Sequence, residues 1–97
     1  MNKYYPYKSD KPNKKYYIIT NDNKKVYFGQ AGASDFTIHK DEARKQRYIN
    51  RHKTVESKFW NDLDTASYWA LKYLWSYPTK EEAYISIKKD LRKRGFI

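Results

Sequence analysis

The order of apolar and polar positions along the chain predicts a β-hairpin followed by helices. Tyr16 to Thr20 and Lys24 to Gly29 are runs of β-branched and aromatic residues, and residues 21–23 between them are Asn and Asp, which favour turns. Alternation along each run places odd-numbered and even-numbered residues on opposite faces. The pattern therefore predicts a hairpin from about Tyr16 to Gly29. Because an isolated hairpin is only marginally stable, it must pack on the helices or gain another strand.

The most apolar stretch of the chain follows at residues 65–75. Eight of the ten residues from Ala66 to Trp75 are apolar or aromatic, and only Ser67 and Lys72 are not. A helix that is apolar on nearly every side must be enclosed. We therefore expect a buried helix over residues 65–75 that forms the centre of a small core or is shared with a partner protein.

Two more polar helices are predicted on either side of this buried helix. Residues 41–52 begin with carboxylates and end with basic side chains, an order that the helix dipole favours. Residues 80–94 follow a capping box formed by Thr79 and Glu82, and a glycine comes directly after them. Between the hairpin and the first helix, residues 35–39 are predicted to be an extended link.

The N-terminal residues 1–15 contain two prolines and no periodic pattern, which predicts an extended arm. Since the arm cannot bury a core of its own, we expect it to be ordered only against another surface, with a disordered leader as the alternative. The residues expected to make its contacts are Tyr4, Tyr5, Tyr7 and Lys8. Residues 16–97 are predicted to form one small α+β domain, with the hairpin and three short helices around a core rich in Trp and Tyr.

Charge adds a prediction about partners. The formal net charge is +10, and the basic residues concentrate in three blocks, 1–17, 40–58 and 80–97. Such self-repulsion favours a bound polyanion or an acidic protein, and the alternative is a surface that only improves solubility. Lys40, Arg44, Arg47 and Arg51 recur at helical spacing and form one basic stripe. The residues expected to bind a polyanion or a protein partner belong to the basic blocks 40–58 and 80–97: Lys40, Arg44, Arg47, Arg51, Lys88, Lys89, Arg92 and Arg94.

Several kinds of chemistry are disfavoured. The chain has no Cys, so it can form neither a disulfide nor a thiolate metal site. His39 and His52 lack nearby acidic or histidine ligands at metal-binding spacing. A magnesium-dependent nuclease could use Asp35, Asp41 and Glu42, but carboxylates in the first turn of a helix are expected for dipole reasons alone. We therefore expect no enzyme, no metal and no other cofactor. We also expect no membrane span, because no apolar run is long enough.

The run FGQAGASDFTIHKDEARKQRYINRH from Phe28 to His52 is distinctive, as are Trp60, residues 65–69 and LWSYPT at 74–79. Together they resemble a family of small basic proteins of unknown function encoded by large nucleocytoplasmic DNA viruses of eukaryotes. The resemblance covers roughly residues 16–80. It is most specific at SDFTIHKD and at RKxRYIxRH after it. The resemblance implies a viral origin, but it implies no reaction and no established binding residues.

Two functions without catalysis remain open. The first is a virion-associated structural protein, a minor capsid or core component, whose partners are larger virion proteins and polyanions, with a second copy of the chain as a further alternative. This function places the chain in the virion, and in the host cytoplasm or nucleus during infection. The second is a nucleic-acid-binding protein that contacts phosphates, DNA among them, through its basic helices. Composition favours the second function. The viral resemblance, the aromatic content and an extended arm that could fasten neighbouring subunits favour the first, which is the function that the sequence predicts, with the second as its alternative.

Overall fold

A three-stranded antiparallel sheet packs against a group of helices in the computed structural model, which describes residues 2–97. The strands lie in the order β1-β2-β3, with β1 at Tyr7–Lys8, β2 at Lys14–Ile19 and β3 at Lys25–Gln30. The helices are α1 (Phe36–His39), α2 (Glu42–Glu56), α3 (Ala66–Trp69) and α4 (Lys80–Lys93). A 3-10 turn at Ser57–Phe59 follows α2, and a π-helical segment at Ala70–Trp75 continues α3. The predicted α+β class is confirmed.

The predicted hairpin is formed by β2 and β3. Its turn uses Asn23 at a φ of 64°, and the backbone N–H of Asn23 donates to the carbonyl of Thr20 at 2.9 Å. Asn tolerates this left-handed conformation, which explains the signal in the sequence. The pairing begins earlier than predicted, because Lys14 already lies opposite Gln30. On one face, the sheet buries Ile18 in the core.

Residues 2–15 pack onto this domain, which corrects the expectation that they are ordered only against another surface. Tyr4 is 2% exposed and belongs to the hydrophobic core. Its hydroxyl donates to the Asp64 carboxylate at 2.6 Å. Strand β1 then pairs with β2, with Tyr7 opposite Tyr17. A domain of this size gains from every large ring that it can bury, and the edge of β2 offers unpaired backbone groups to an extended segment.

The core is built around the helix that was predicted to be buried. Trp69 is fully buried, and its indole Nε1 donates to the carbonyl of Leu63 at 2.8 Å. The prediction is correct for α3, but residues 70–75 are π-helical. The wider π-helical turn is supported at its end by Ser76, whose hydroxyl donates to the carbonyl of Leu71 at 2.8 Å. Short π-helical segments are rare, and they occur often at functional sites.

The polar helices differ from the prediction mainly at the first helix. Residues 36–39 form the helical turn α1 rather than an extended link, because the Asp35 carboxylate caps it by accepting from Thr37 N at 3.0 Å. Helix α2 continues to Glu56 rather than ending at residue 52. Helix α4 lies within the predicted range, and the Thr79 hydroxyl caps it by accepting from the backbone N–H of Glu82 at 3.2 Å.

Burial of tyrosines should make the fold sensitive to alkali. Burial raises the pKa of Tyr4 and of Tyr73 to about 12, and it also raises the pKa of Tyr48 and Tyr68. In the unfolded chain, tyrosine ionises at a pH of about 10. Between about pH 10 and 12 the unfolded state therefore loses protons that the folded state keeps, so stability is complete below pH 10 and falls above it.

We expect the free energy of unfolding to fall above about pH 10 by roughly 1.4 kcal/mol per pH unit for each such tyrosine. Urea unfolding at a series of pH values measures this slope. The variant Tyr4→Phe lacks one of the ionising hydroxyls, and its slope should be smaller than that of the wild type. A stability that stays constant from pH 9 to about pH 12 would contradict the prediction.

Candidate functional site

A cleft of about 560 Å³ lies between β3, α2 and the π-helical segment. It is termed the main cleft. Its charged lining consists of Lys14, Lys15, Asp35, Arg44, Arg51, His52 and Glu56. Its apolar lining includes Ala66, Ala70, Leu74 and Trp75. A recess of this volume with both kinds of lining has the size and composition of a ligand site.

Helix α2 borders the main cleft and attaches to the rest of the domain through few side chains. Tyr48 is the buried residue of α2, and its ring stacks on Trp75 with centroids 4.2 Å apart and an interplanar angle of 6°. The Lys45 ammonium adds a hydrogen bond of 2.9 Å to the carbonyl of Ser76. The rest of α2 is largely polar and mostly exposed.

On the opposite side, β3 approaches the π-helical segment at a glycine. Gly29 has a φ of 78°, and a Cβ atom there would lie 2.9 Å from Leu74 Cδ1. A side chain at this position would therefore push β3 away from Leu74. Gly29 and Gly32 both have a positive φ, a conformation that glycine adopts readily. Gly32, with open space around it, lies in a turn.

Two acidic side chains in the main cleft contact nitrogen-bearing side chains of neighbouring residues. The Lys15 ammonium lies 2.6 Å from the Asp35 carboxylate, and both side chains are largely buried. The His52 ring contacts the Glu56 carboxylate. Within residues 2–97, no carboxylate lies at ion-pairing distance from Lys14, Arg44 or Arg51. The cleft therefore presents three cations without a counter-charge.

A second cleft of about 540 Å³ adjoins the main cleft and is lined by four lysines, Lys8, Lys11, Lys14 and Lys15. It is termed the lysine cleft. Lys14 and Lys15 line both clefts, so the basic surface continues from one to the other. The Lys11 ammonium also lies 4.3 Å from the centroid of the Tyr27 ring, at the border of the main cleft. Five cations of the two clefts form no ion pair with another described residue, and they are termed the cationic track: Lys8, Lys11, Lys14, Arg44 and Arg51.

Helix α2 places two of the four predicted basic residues of its region in the main cleft. Arg44 and Arg51 line the cleft, seven residues apart on one face of the helix. Arg47 is exposed but does not line it. Lys40 follows the end of α1, and its ammonium donates to the carbonyl of Thr37 at 2.9 Å.

The four predicted basic residues near the C-terminus lie outside both clefts. Lys88 is half-buried over the ring of Tyr84, and Lys89 and Arg92 are exposed. Arg94 serves the fold, because its Nε donates to the Asp90 carboxylate at 3.0 Å. Burial would raise the pKa of Asp90, but the hydrogen bonds from Arg94 and Tyr68 outweigh burial and hold the pKa below its usual value. The structure therefore does not bring the charges of α4 and α2 together.

The predicted contact residues of the N-terminal segment have different environments. Tyr4 is buried, and Tyr7 accepts a hydrogen bond of 2.8 Å from the backbone N–H of Asn2. Tyr5 is 40% exposed and packs edge-on against Tyr84. Only Lys8 of this group lines the lysine cleft.

Sequence reasoning missed the lysines that connect the two clefts. Lys11, Lys14 and Lys15 were counted as part of a basic block, but none was singled out. The sequence feature that could have identified them is their position directly before the first β-run, which places them at one end of the sheet. Trp75 was predicted only as part of the buried helix, yet it also lines the main cleft.

Of the acidic side chains named for a nuclease, Asp35 and Asp41 cap α1 and α2. The Asp41 carboxylate accepts from the backbone N–H of Ala43 at 3.0 Å, and His39 Nδ1 accepts from Asp41 N at 2.9 Å. Among residues 2–97, no three His, Asp or Glu side chains gather as metal ligands. In the same part of the chain, no helix combines the length and the apolar character that crossing a membrane requires.

Comparison with known proteins gives one family. A model described as a family of unknown function (DUF5754) matches residues 7–52, which is under half of the chain. Neither a curated protein nor a solved structure matches the chain significantly. The viral origin implied by the sequence resemblance stays a prediction. The same segment, residues 7–52, contains every residue of the cationic track. Over this segment the chain is similar to the family of unknown function.

Proposed function

We propose that this protein binds nucleic acid and that the cationic track holds the phosphate groups. The observation that carries the proposal is the set of three cations, Lys14, Arg44 and Arg51, that line one cleft without a carboxylate partner in residues 2–97. A guanidinium group can donate two parallel hydrogen bonds to one phosphate. Each phosphate that is neutralised also releases counterions from the nucleic acid, which adds to the affinity.

The spacing of the two arginines supports contact with more than one phosphate. Arg44 and Arg51 lie two helical turns apart, a distance of about 10 Å along the helix axis. This spacing allows each arginine to engage a different phosphate of one backbone. The lysine cleft extends the basic surface beyond them, which allows a longer stretch of backbone to lie along the protein. Binding of this kind needs no catalytic step.

A virion structural role stays a prediction with less support. It drew on an N-terminal arm that would fasten neighbouring subunits, but Tyr4 and β1 pack on the chain's own domain. The N-terminal segment therefore no longer supplies the fastening contacts that this role assumed. An acidic virion protein could still contact the cationic track, and the salt experiment below separates that case from nucleic acid.

The double variant Arg44→Gln/Arg51→Gln is expected to weaken binding to a labelled oligonucleotide and to reduce its salt dependence. In a plot of the logarithm of affinity against the logarithm of salt concentration, the slope of the variant should be shallower than that of the wild type by roughly 1.4 to 1.8. The reason is that two phosphate contacts are lost. Fluorescence anisotropy at several salt concentrations gives this slope.

The matched control is the double variant Lys89→Gln/Arg92→Gln. It removes the same charge from two exposed residues of α4 that lie outside both clefts. Its slope should remain close to that of the wild type. If both double variants lose the same affinity, net charge rather than the cationic track governs binding, and the proposal fails. Absence of binding at low salt would also exclude it.

A further inference from the structure

We propose that the main cleft accommodates an unpaired base, so that the protein selects single-stranded over double-stranded nucleic acid. This inference rests on the proposed function, because it assumes that the cationic track holds the phosphates. It goes further by assigning a ligand to the apolar part of the cleft, for which phosphate binding has no use.

The lining of the main cleft fits a base better than it fits phosphate alone. Ala66, Ala70, Leu74 and Trp75 contribute apolar surface beside the cations. Two of these four side chains are methyl groups, which leaves room for a planar ring. A nucleotide joins a flat, weakly polar base to an anionic phosphate, so it matches a recess that is apolar on one side and basic on another.

The cleft also offers polar groups that could read the edge of a base. The side chains of Gln30, Ser34 and Ser67 line it, and none of them forms a hydrogen bond to another group within residues 2–97. Amides and hydroxyls can each donate and accept, as the edges of bases require. These groups would supply the hydrogen bonds that a base loses when it leaves water.

A duplex can use only part of this site. Its bases are stacked and paired in the interior, so it presents phosphates to the cationic track and no free base to the cleft. Inserting a base from a duplex would first require unstacking and unpairing, whereas a single strand has free bases already. The main cleft therefore adds affinity for single strands and adds nothing for duplexes.

Binding to a single-stranded oligothymidylate of about twelve nucleotides tests this inference against a duplex of the same length at equal salt. We expect the single strand to bind about tenfold more tightly, the factor that one enclosed base typically supplies. A single-stranded RNA oligomer of the same length shows whether the preference for single strands holds for ribose as well as for deoxyribose. Equal affinity for single strand and duplex would overturn the inference.

The variant Ala66→Trp tests the location of the base. Ala66 is exposed at the start of α3 and lines the main cleft, so a large ring there fills the recess without removing a charge. Affinity for the single strand should fall about tenfold, to the level of the duplex, whose own affinity should not change. The control Ala43→Trp adds the same ring at an exposed site of α2 outside the cleft, and it should bind like the wild type. A fall of equal size in both variants would overturn the inference.

A second measurement does not depend on how Ala66→Trp folds. Trp75 lines the cleft, so a base that enters should quench part of the tryptophan fluorescence of the wild-type protein. Inorganic polyphosphate carries charge but no base, and it should bind the cationic track with little quenching. Equal quenching by both ligands would exclude base insertion while leaving the proposed function intact. If neither the oligonucleotide nor the duplex binds at low salt, the proposed function itself fails.

Discussion

Replacement of Trp69 by alanine is expected to lower the free energy of unfolding by about 3–5 kcal/mol. The side chain is fully buried, and its ring lies 5.8 Å from that of Phe28 across the interface between α3 and the sheet. Truncation would leave a large cavity and an unpaired carbonyl at Leu63. Small domains have a total stability of roughly 5–15 kcal/mol, so this loss removes much of it.

Guanidinium unfolding of the variant measures the loss, and two further variants separate its causes. Trp69→Phe keeps a buried ring but removes the hydrogen bond to Leu63, and it should cost on the order of 1–3 kcal/mol. Val55→Ala shortens a side chain that is 69% exposed, and it should change stability by no more than about 0.5 kcal/mol. A loss below about 1 kcal/mol for Trp69→Ala would mean that this ring does not organise the core.

The parts of the fold that the sequence predicts well are those with local causes. The hairpin follows from two β-runs around Asn23, and α4 follows from the cap at Thr79 and the glycine beyond its end. The π-helical segment has no comparable local signal. Its geometry depends on how Tyr73, Leu74 and their neighbours pack against the sheet, and that packing is known only once the chain is folded.

The candidate site shows the same division. Arg44 and Arg51 were predicted because helical spacing alone places them on one face. Lys14 and Lys15 reach the same cleft through the register between β2 and β3, which the sequence does not state. Lys89 and Arg92 were also predicted as binding residues, but they lie outside both clefts. A charged helical face looks the same in sequence whether it borders a cleft or only solvent, so tertiary structure was needed to distinguish them.

Deletion of residues 2–8 is expected to destabilise the isolated domain strongly. The deletion removes Tyr4 from the core, where its ring lies 5.0 Å from that of Phe96, and it removes all of β1. Loss of one large buried side chain costs about 3–5 kcal/mol by itself. In a domain of 60–100 residues each kcal/mol lowers the thermal midpoint by about 4–8 °C, so we expect a fall of more than about 12 °C.

The single variant Tyr4→Ala should reproduce most of this fall, and thermal unfolding followed by circular dichroism measures both. Tyr4→Phe keeps the ring and loses only the hydroxyl that donates to Asp64, so its midpoint should fall much less. Tyr5→Ala removes a ring that is 40% exposed, and it is the matched control from the same segment. If the deletion left the midpoint unchanged, residues 2–8 would contribute nothing to the domain's own stability, and the segment would have to be ordered by another molecule after all.

The Tyr4→Ala protein that remains folded should bind nucleic acid with the same salt dependence as the wild type. Arg44 and Arg51 lie on α2, and Tyr4 makes no hydrogen bond or ring contact to this helix.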